Sequence, residues 1–282
     1  MNFGRLWGNL LVPKLEHLDW LEDTGERRTS ACGREIEVWE LNPEENETVL
    51  SAWAAHFRQH YISDEHLPIM VDGTGLSKAE YLRQTLLPDR TQTPGPSLRS
   101  GDFGEILIAD YVEYVLGYWC PRELRYQERW NRNDSTKGCD VIGFKFFADG
   151  QTNPNDELFV FETKSGMSAS AANRLQDAIT DSDKDKLREA MSLNALKQKF
   201  VQRGAMDDAS RVQRFQDMAD RPFRRINGAA AILDEVVYGE TDLNAADASA
   251  HYNAANLKLI VIKGPSLMAL IHALYERAAD EA

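Results

Sequence analysis

No apolar run in the 282-residue sequence approaches the roughly 18 residues that a membrane-spanning helix needs. The opening stretch, MNFGRLWGNLLVPKLEHLDW, also lacks the continuous apolar segment and small-residue cleavage site of a signal peptide. Cysteine is scarce: Cys32, Cys120 and Cys139 show no paired spacing, which fits a reducing compartment and argues against a structural zinc site. These absences lead us to expect a cytoplasmic protein. Positive charge is short as well. With 32 Lys and Arg against 45 Asp and Glu, the net charge is −13, and so acidic a chain is repelled at long range from any phosphate backbone. There is no internal repeat. The hydrophobic content of 43% and charged content of 27% are those of a soluble globular protein with ample core, built as one large domain or two small ones.

The informative stretch is KGCDVIGFKFFADGQTNPNDELFVFETKSG, residues 137–166. Two strand-like runs, Val141 to Phe147 and Leu158 to Phe161, flank a segment of Asp, Gly, Asn and Pro, which is turn chemistry. Alternation places Asp140 on the face of Ile142, Phe144 and Phe146, and Glu162 and Lys164 on the face of Leu158 and Val160. A turn centred near Thr152 sets Asp140 opposite Lys164 and Ile142 opposite Glu162. Opposed Cβ atoms lie about 5 Å apart, so two carboxylates and an ammonium converge at one end of the hairpin. Charge continuing a core-facing row is costly unless it is paired or holds a metal.

Asp, then Glu-x-Lys on the next strand, suits metal-assisted phosphodiester cleavage. Two carboxylates hold Mg²⁺, a hard cation that keeps several waters, and a lysine beside them offsets developing charge. As a bare motif the tripeptide means nothing, since this composition yields about two acid-x-Lys tripeptides by chance. A buried Asp140–Lys164 ion pair without chemistry accounts for the same pattern. Upstream, GDFGEILIADYVEYVLGY (Gly101 to Tyr118) reads as a helix, with Glu105 on the face of Ile108, Ala109 and Val112. Another carboxylate points inward there, although Asp102 and Glu105 also have the spacing of a capping box.

The order is then a helix with Glu105, a strand around Glu123 to Trp130, a strand with Asp140, a strand with Glu162 and Lys164, and a further helix. It resembles the PD-(D/E)XK nuclease core: an α/β fold with a mixed central sheet flanked by helices. Within that superfamily the motifs SLRSGDFGEILIADYV, KGCDVIGF and LFVFETKSGMSA resemble the HamA family, nuclease subunits of Hachiman anti-phage defence systems. The resemblance spans roughly Ser97 to Lys263. It implies a metal-dependent deoxyribonuclease in which Glu105, Asp140 and Glu162 hold Mg²⁺ or Mn²⁺ and Lys164 acts with them. It also implies two partners, DNA and a helicase subunit of the same system (HamB-like). Cys139 stands where the superfamily's name has proline. The alternative is a non-catalytic nuclease-fold adaptor that binds and regulates a helicase.

Residues 1–90 read as an N-terminal α+β appendage, with residues 97–282 as the nuclease domain and Pro88 to Pro96 as a linker. In the appendage EIEVWEL (Glu35 to Leu41) is strand-like, and Asn46 to Tyr61 carries Val49, Leu50, Trp53, Ala54, Phe57 and Tyr61 on one helical stripe that packs against something; the region before Pro88 as a whole is the candidate surface for docking the partner. His56 and His60 stand four apart with His66 nearby, a ligand spacing, yet Phe57 occupies the place where a zinc protease needs glutamate. Ser77 and Glu80 form a capping-box signature. Ser168 reads as the N-cap of a helix from which Gln176 reaches toward the site. Eleven basic residues between Lys184 and Arg225, and Arg122, Arg125, Arg129, Arg132 and Lys137 before Asp140, offer the local positive charge that DNA requires. Gly228 to Val237 and Leu257 to Gly264 read as central strands, the polar segment between them as a surface excursion, and Leu267 to Arg277 as a closing helix.

Overall fold

Strands buried on both faces read as unbroken apolar runs, and the two such runs in this chain lie at the centre of its sheet. The computed structural model describes residues 6–7, 10–11, 15–122, 126–127, 129–148, 152–168 and 173–282. Its strands are β1 (Leu6–Trp7), β2 (Leu10–Leu11), β3 (Leu21–Thr29), β4 (Glu35–Leu41), β5 (Val141–Lys145), β6 (Glu157–Gly166), β7 (Arg224–Asp234) and β8 (Leu257–Gly264). Its α-helices are α1 (Glu47–Gln59), α2 (His66–Val71), α3 (Lys78–Tyr81), α4 (Gly95–Asp110), α5 (Arg174–Ser182), α6 (Asp185–Gln202), α7 (Met206–Gln213), α8 (Glu240–Ala245) and α9 (Leu267–Asp280). Six strands form one mixed sheet in the order β3-β4-β8-β7-β6-β5. The four inner strands run parallel, and β3 and β5 close the edges antiparallel. Among the described residues no helix is long and apolar enough to cross a membrane.

Period-two alternation divides β6 between two cores. Phe159 and Phe161 join the larger one with α1, α4 and α9, while Leu158 and Val160 join another with α6 and α7. A third cluster sets Leu175, Ala178 and Ile179 of α5 against Ala229, Ala231, Leu259 and Val261. Helix α4 comes very close to β6. A Cβ on Gly104 would lie 2.6 Å from Ser165 Oγ and 3.2 Å from Thr163 Cγ2, so only glycine lets this helix carry Glu105 so near the strand.

On the N-terminal side of the boundary expected near residue 90, β3 and β4 supply two of the six strands, with Val38 opposite Val261 of β8. The stripe on α1 is spent internally: Trp53 and Phe57 are buried in the larger core beside Tyr275 of α9. Asn46 caps α1 by accepting from the Val49 amide, and the Ser77–Glu80 capping box forms as expected. The segment expected as a linker is tied down. Arg132 Nη2 donates to Asp89 Oδ2 at 2.8 Å and Arg99 Nε to the Pro88 carbonyl at 2.8 Å, while α4 already begins at Gly95.

Three other expectations are corrected. No strand forms at the described residues around Glu123 to Trp130; instead Trp119 bridges to Phe144 at the outer edge of β5. The helix after the site starts at Arg174, capped by Asn173, whose side chain accepts from the Gln176 amide. Ser168 is a bend, and residues 169–172 lie outside the described residues. The polar segment after β7 contains α8 and buries Leu243, Ala246 and Ala248, so it is a packed element despite its low complexity.

Candidate functional site

The site arises because β5 is shorter than β6. Pairing runs from Lys145 opposite Glu157 to Val141 opposite Phe161, and from Glu162 onward β6 has no strand on that side. Asp140, the residue before β5, takes over where the ladder ends, accepting from the Thr163 amide through Oδ2 at 2.9 Å. The hairpin register therefore differs by two residues from the expected one: continued by one step it sets Asp140 level with Glu162, not Lys164. A two-residue slip preserves the faces, so Glu162 and Lys164 do share the side of Leu158 and Val160. Residues 149–151, in the connecting turn, lie outside the described residues. The free flank of β6 opens a cleft of about 600 Å³ lined by Glu105, Asp140, Glu162 and Lys164 together. Glu105 reaches it from α4, its Oε2 accepting from Tyr126 Oη at 2.6 Å.

Charge in the cleft is tightly knit. Lys164 Nζ donates to Glu162 Oε1 at 2.6 Å and lies 2.8 Å from Asp181 Oδ2 on α5. Lys184 also binds Asp181. Glu162 is only 3% exposed, and its Oε2 accepts no hydrogen bond, with Arg188 Nη1 standing 3.8 Å from it. Burial pushes the Glu162 carboxyl above its usual range, and Asp185 and Asp181 add to this against the opposing pull of Lys164. Burial would lower the Lys164 ammonium, but Glu162 and Asp181 outweigh it and keep it firmly protonated. Asp185 on α6 is pushed up to about 7, by burial first and by the Asp140 charge second.

Asp102 is not a cap. It sits two turns into α4, buried, accepting from Tyr61 Oη and from both Nη atoms of Arg129. Much of the expected DNA-facing charge is likewise consumed inside: Arg122 pairs with Asp110 and Glu113, Arg214 with Asp156, and Arg225 with Glu189. Lys137 and Arg188 do line the cleft, whereas Arg125 lies outside the described residues. Gln176 turns away, its amide exchanging hydrogen bonds with the Asp247 backbone.

Among the described residues, the one group of three whose ligand atoms all lie within 4.8 Å of one another is His56, His60 and Asp110. The three cleft carboxylates do not meet that distance as a set, and His66 is not part of the histidine group. Arg122 already occupies that group's centre, donating to Asp110 and lying 3.5 Å from His60 Nε2. The arrangement is a buried ion network, with His17 closing it on Asp110 Oδ2 at 3.2 Å. Burial first, then Arg122 and His56, push His60 down to about 3; burial also lowers His17 although Asp110 opposes it. Burial would raise Asp110, but His56, Arg122 and His17 hold it well below the usual carboxylate range.

Lowered histidines bind fewer protons folded than unfolded, so their contribution is complete above their ordinary 6.5 and is lost as pH falls toward 3. Asp110 adds to the loss below its ordinary 3.8. The melting temperature should thus fall steadily from pH 6.5 to 4, a loss on the order of a few kcal/mol, and His60→Gln should flatten the slope. An unchanged slope would remove His60 as a cause.

Asp181, Asp185 and Tyr126 are the site residues that the sequence reading missed, whereas Arg188 was among the basic residues expected near the site. Asp181 and Asp185 stand in DAITDSDKDK, a run whose acids look solvated until the packing of α5 and α6 on β6 is known. Only the proximity of Gln176, five residues from Asp181 on the same helix, pointed there. The family model for HamA matches residues 16–278 and so takes in the N-terminal region that the motifs left aside. No curated protein and no solved structure matches the chain.

Proposed function

Because the chain belongs to the HamA family, components of Hachiman anti-phage defence, we propose that it is a PD-(D/E)XK-type, Mg²⁺-dependent deoxyribonuclease working with a helicase subunit. One observation carries the reading: Glu105, Asp140, Glu162 and Lys164 line one cleft where the sheet edge opens. The donor set fits a hard divalent cation, being all carboxylate oxygen, with Glu162 Oε2 buried and accepting no hydrogen bond. Asp140 and Glu162, with Glu105, would hold it, and such an ion supplies Lewis-acid polarisation of a phosphoryl oxygen and a more acidic bound water. Lys164 contributes a fixed positive charge, which Glu162 and Asp181 aim along the cleft floor and which offsets charge developing on a scissile phosphate. Lys137 and Arg188 on the cleft wall neutralise flanking phosphates.

At −13 overall, with most arginines already paired, the chain alone grips DNA weakly, so a helicase subunit delivers the strand. The docking surface falls in the N-terminal region, where α2 leaves Ile69 68% and Met70 52% exposed. The adaptor reading is favoured by a different observation, the closed chain Glu162–Lys164–Asp181–Lys184, which is self-sufficient without an ion. Thermal melting against Mg²⁺, run beside plasmid cleavage with and without the helicase, separates the two. The nuclease is expected to gain about 2.7 kcal/mol at 100 times Kd, and Asp140→Ala to lose that gain. No shift and no cutting in the assembled pair would leave the adaptor.

A further inference from the structure

Asp185 is the most anomalous charged group in the described structure. It opens α6 with its side chain fully buried; the Cys139 thiol beside it is a weak donor, and neither carboxylate oxygen accepts a hydrogen bond from a nitrogen or hydroxyl group. A buried carboxylate left this way is destabilising, and an apolar or amide side chain of similar size would serve a purely structural helix start better. Its nearest cation is Arg188, one turn along the helix, whose Nη1 lies 3.8 Å from Asp185 Oδ1 and 3.8 Å from Glu162 Oε2. Both distances exceed a hydrogen bond, and both oxygens are among the unpartnered ones. The guanidinium thus sits midway between two buried anions without bonding either. Its side chain is 38% exposed and lines the cleft, so it is free to swing outward.

We propose that Asp185 is a further cation ligand, sharing with Glu162 a position that the Arg188 guanidinium fills in the absence of a divalent ion. The inference rests on the nuclease reading above and adds to its ligand set a residue from α6. Both groups are carboxylates, the hard oxygen donors that a divalent ion such as Mg²⁺ prefers. Arrival of the ion would release Arg188 into the cleft, where it is placed to meet a phosphate. The ion would then set both the charge at Glu162 and the availability of an arginine for the strand.

The test is calorimetric titration with Mn²⁺, and melting with and without it, on the full chain, so that no readout depends on cleavage. Asp185→Asn should raise the melting temperature of the metal-free protein, because an unpaired charge is gone, yet weaken Mn²⁺ at least tenfold. Arg188→Met should tighten Mn²⁺ about threefold or more by removing the competitor, and it probes the same position should Asp185→Asn fail to fold. Wild-type affinity in Asp185→Asn, alongside loss in Asp140→Ala, would overturn this inference and leave the nuclease reading standing. Unchanged affinity in Arg188→Met would refute the displacement, and no Mn²⁺ uptake by the wild type would remove both readings.

Discussion

Glu162→Gln and Lys164→Met should each lower divalent-dependent DNA cleavage by a factor on the order of 10³ or more, while differing sharply in stability. The first removes the charge of a cation ligand, and the second removes the fixed charge facing the scissile phosphate; electrostatic groups of this kind contribute several kcal/mol to transition-state stabilisation. Stability separates them because the ion pair is lopsided. Lys164 also contacts Asp181, so the ammonium keeps a partner when Glu162 becomes an amide. Glu162, 3% exposed, keeps only the loosely placed Arg188 when Lys164 becomes Met. Breaking a buried pair from that side costs about 3 kcal/mol, against little for Glu162→Gln. Plasmid nicking rates and melting curves on the two variants check both halves. Wild-type cutting by either variant would refute the assignment; equal loss of stability in both would point to a structural ion pair.

The largest loss of stability is expected outside the cleft, at the C-terminal end of the helix that carries Glu105. Asp110→Ala should destabilise the protein by about 3–5 kcal/mol, lowering its melting temperature by roughly 10 °C. Asp110 is 0% exposed and accepts from His17, His56 and Arg122. Its removal leaves the Arg122 guanidinium inside the protein with Glu113 as its remaining ion-pair partner. The exposed pair Asp23–Arg27 is the internal control: its side chains are 37% and 34% exposed, and Asp23→Ala should cost under about 1 kcal/mol. Comparable losses in the two variants, measured by denaturant unfolding, would show that burial of the network counts for little.

Period-two and period-3.6 patterns revealed the elements, because burial writes them directly into the sequence. The faces of Glu162 and Lys164, the central position of β7 and β8, and the span of α1 were legible for that reason. Register was not, since a turn of Asp, Gly, Asn and Pro does not announce its centre and a slip of two leaves every face unchanged. Partner choice was less legible still. Nothing in the spacing of Asp102 and Glu105, which both line the cleft, tells which of the two Arg129 will neutralise. Arg122, Arg129 and Arg214 looked like a basic surface and are the counter-charges of Asp110, Asp102 and Asp156, a fact fixed only when distant elements pack.

The seating of β4 beside β8 bears on how the protein is made. Ile36 to Glu40 pair with Leu259 to Lys263, so strands 223 residues apart (259 − 36) lie side by side in the sheet. Loop closure over that separation is slow, and the sheet cannot be completed until β8 has left the ribosome. Until then β8 is missing, and β7 offers a bare apolar margin of the kind that chaperones cover. A prematurely terminated chain lacking β8 therefore never assembles the layer that supports β6, so interrupted synthesis gives misfolded fragments and no partial cleft. Trimming from the other end strips β8 of its neighbour and creates an aggregation-prone edge. For that reason, dissection of the N-terminal region calls for point changes at Ile69 and Met70, not for shortening the chain.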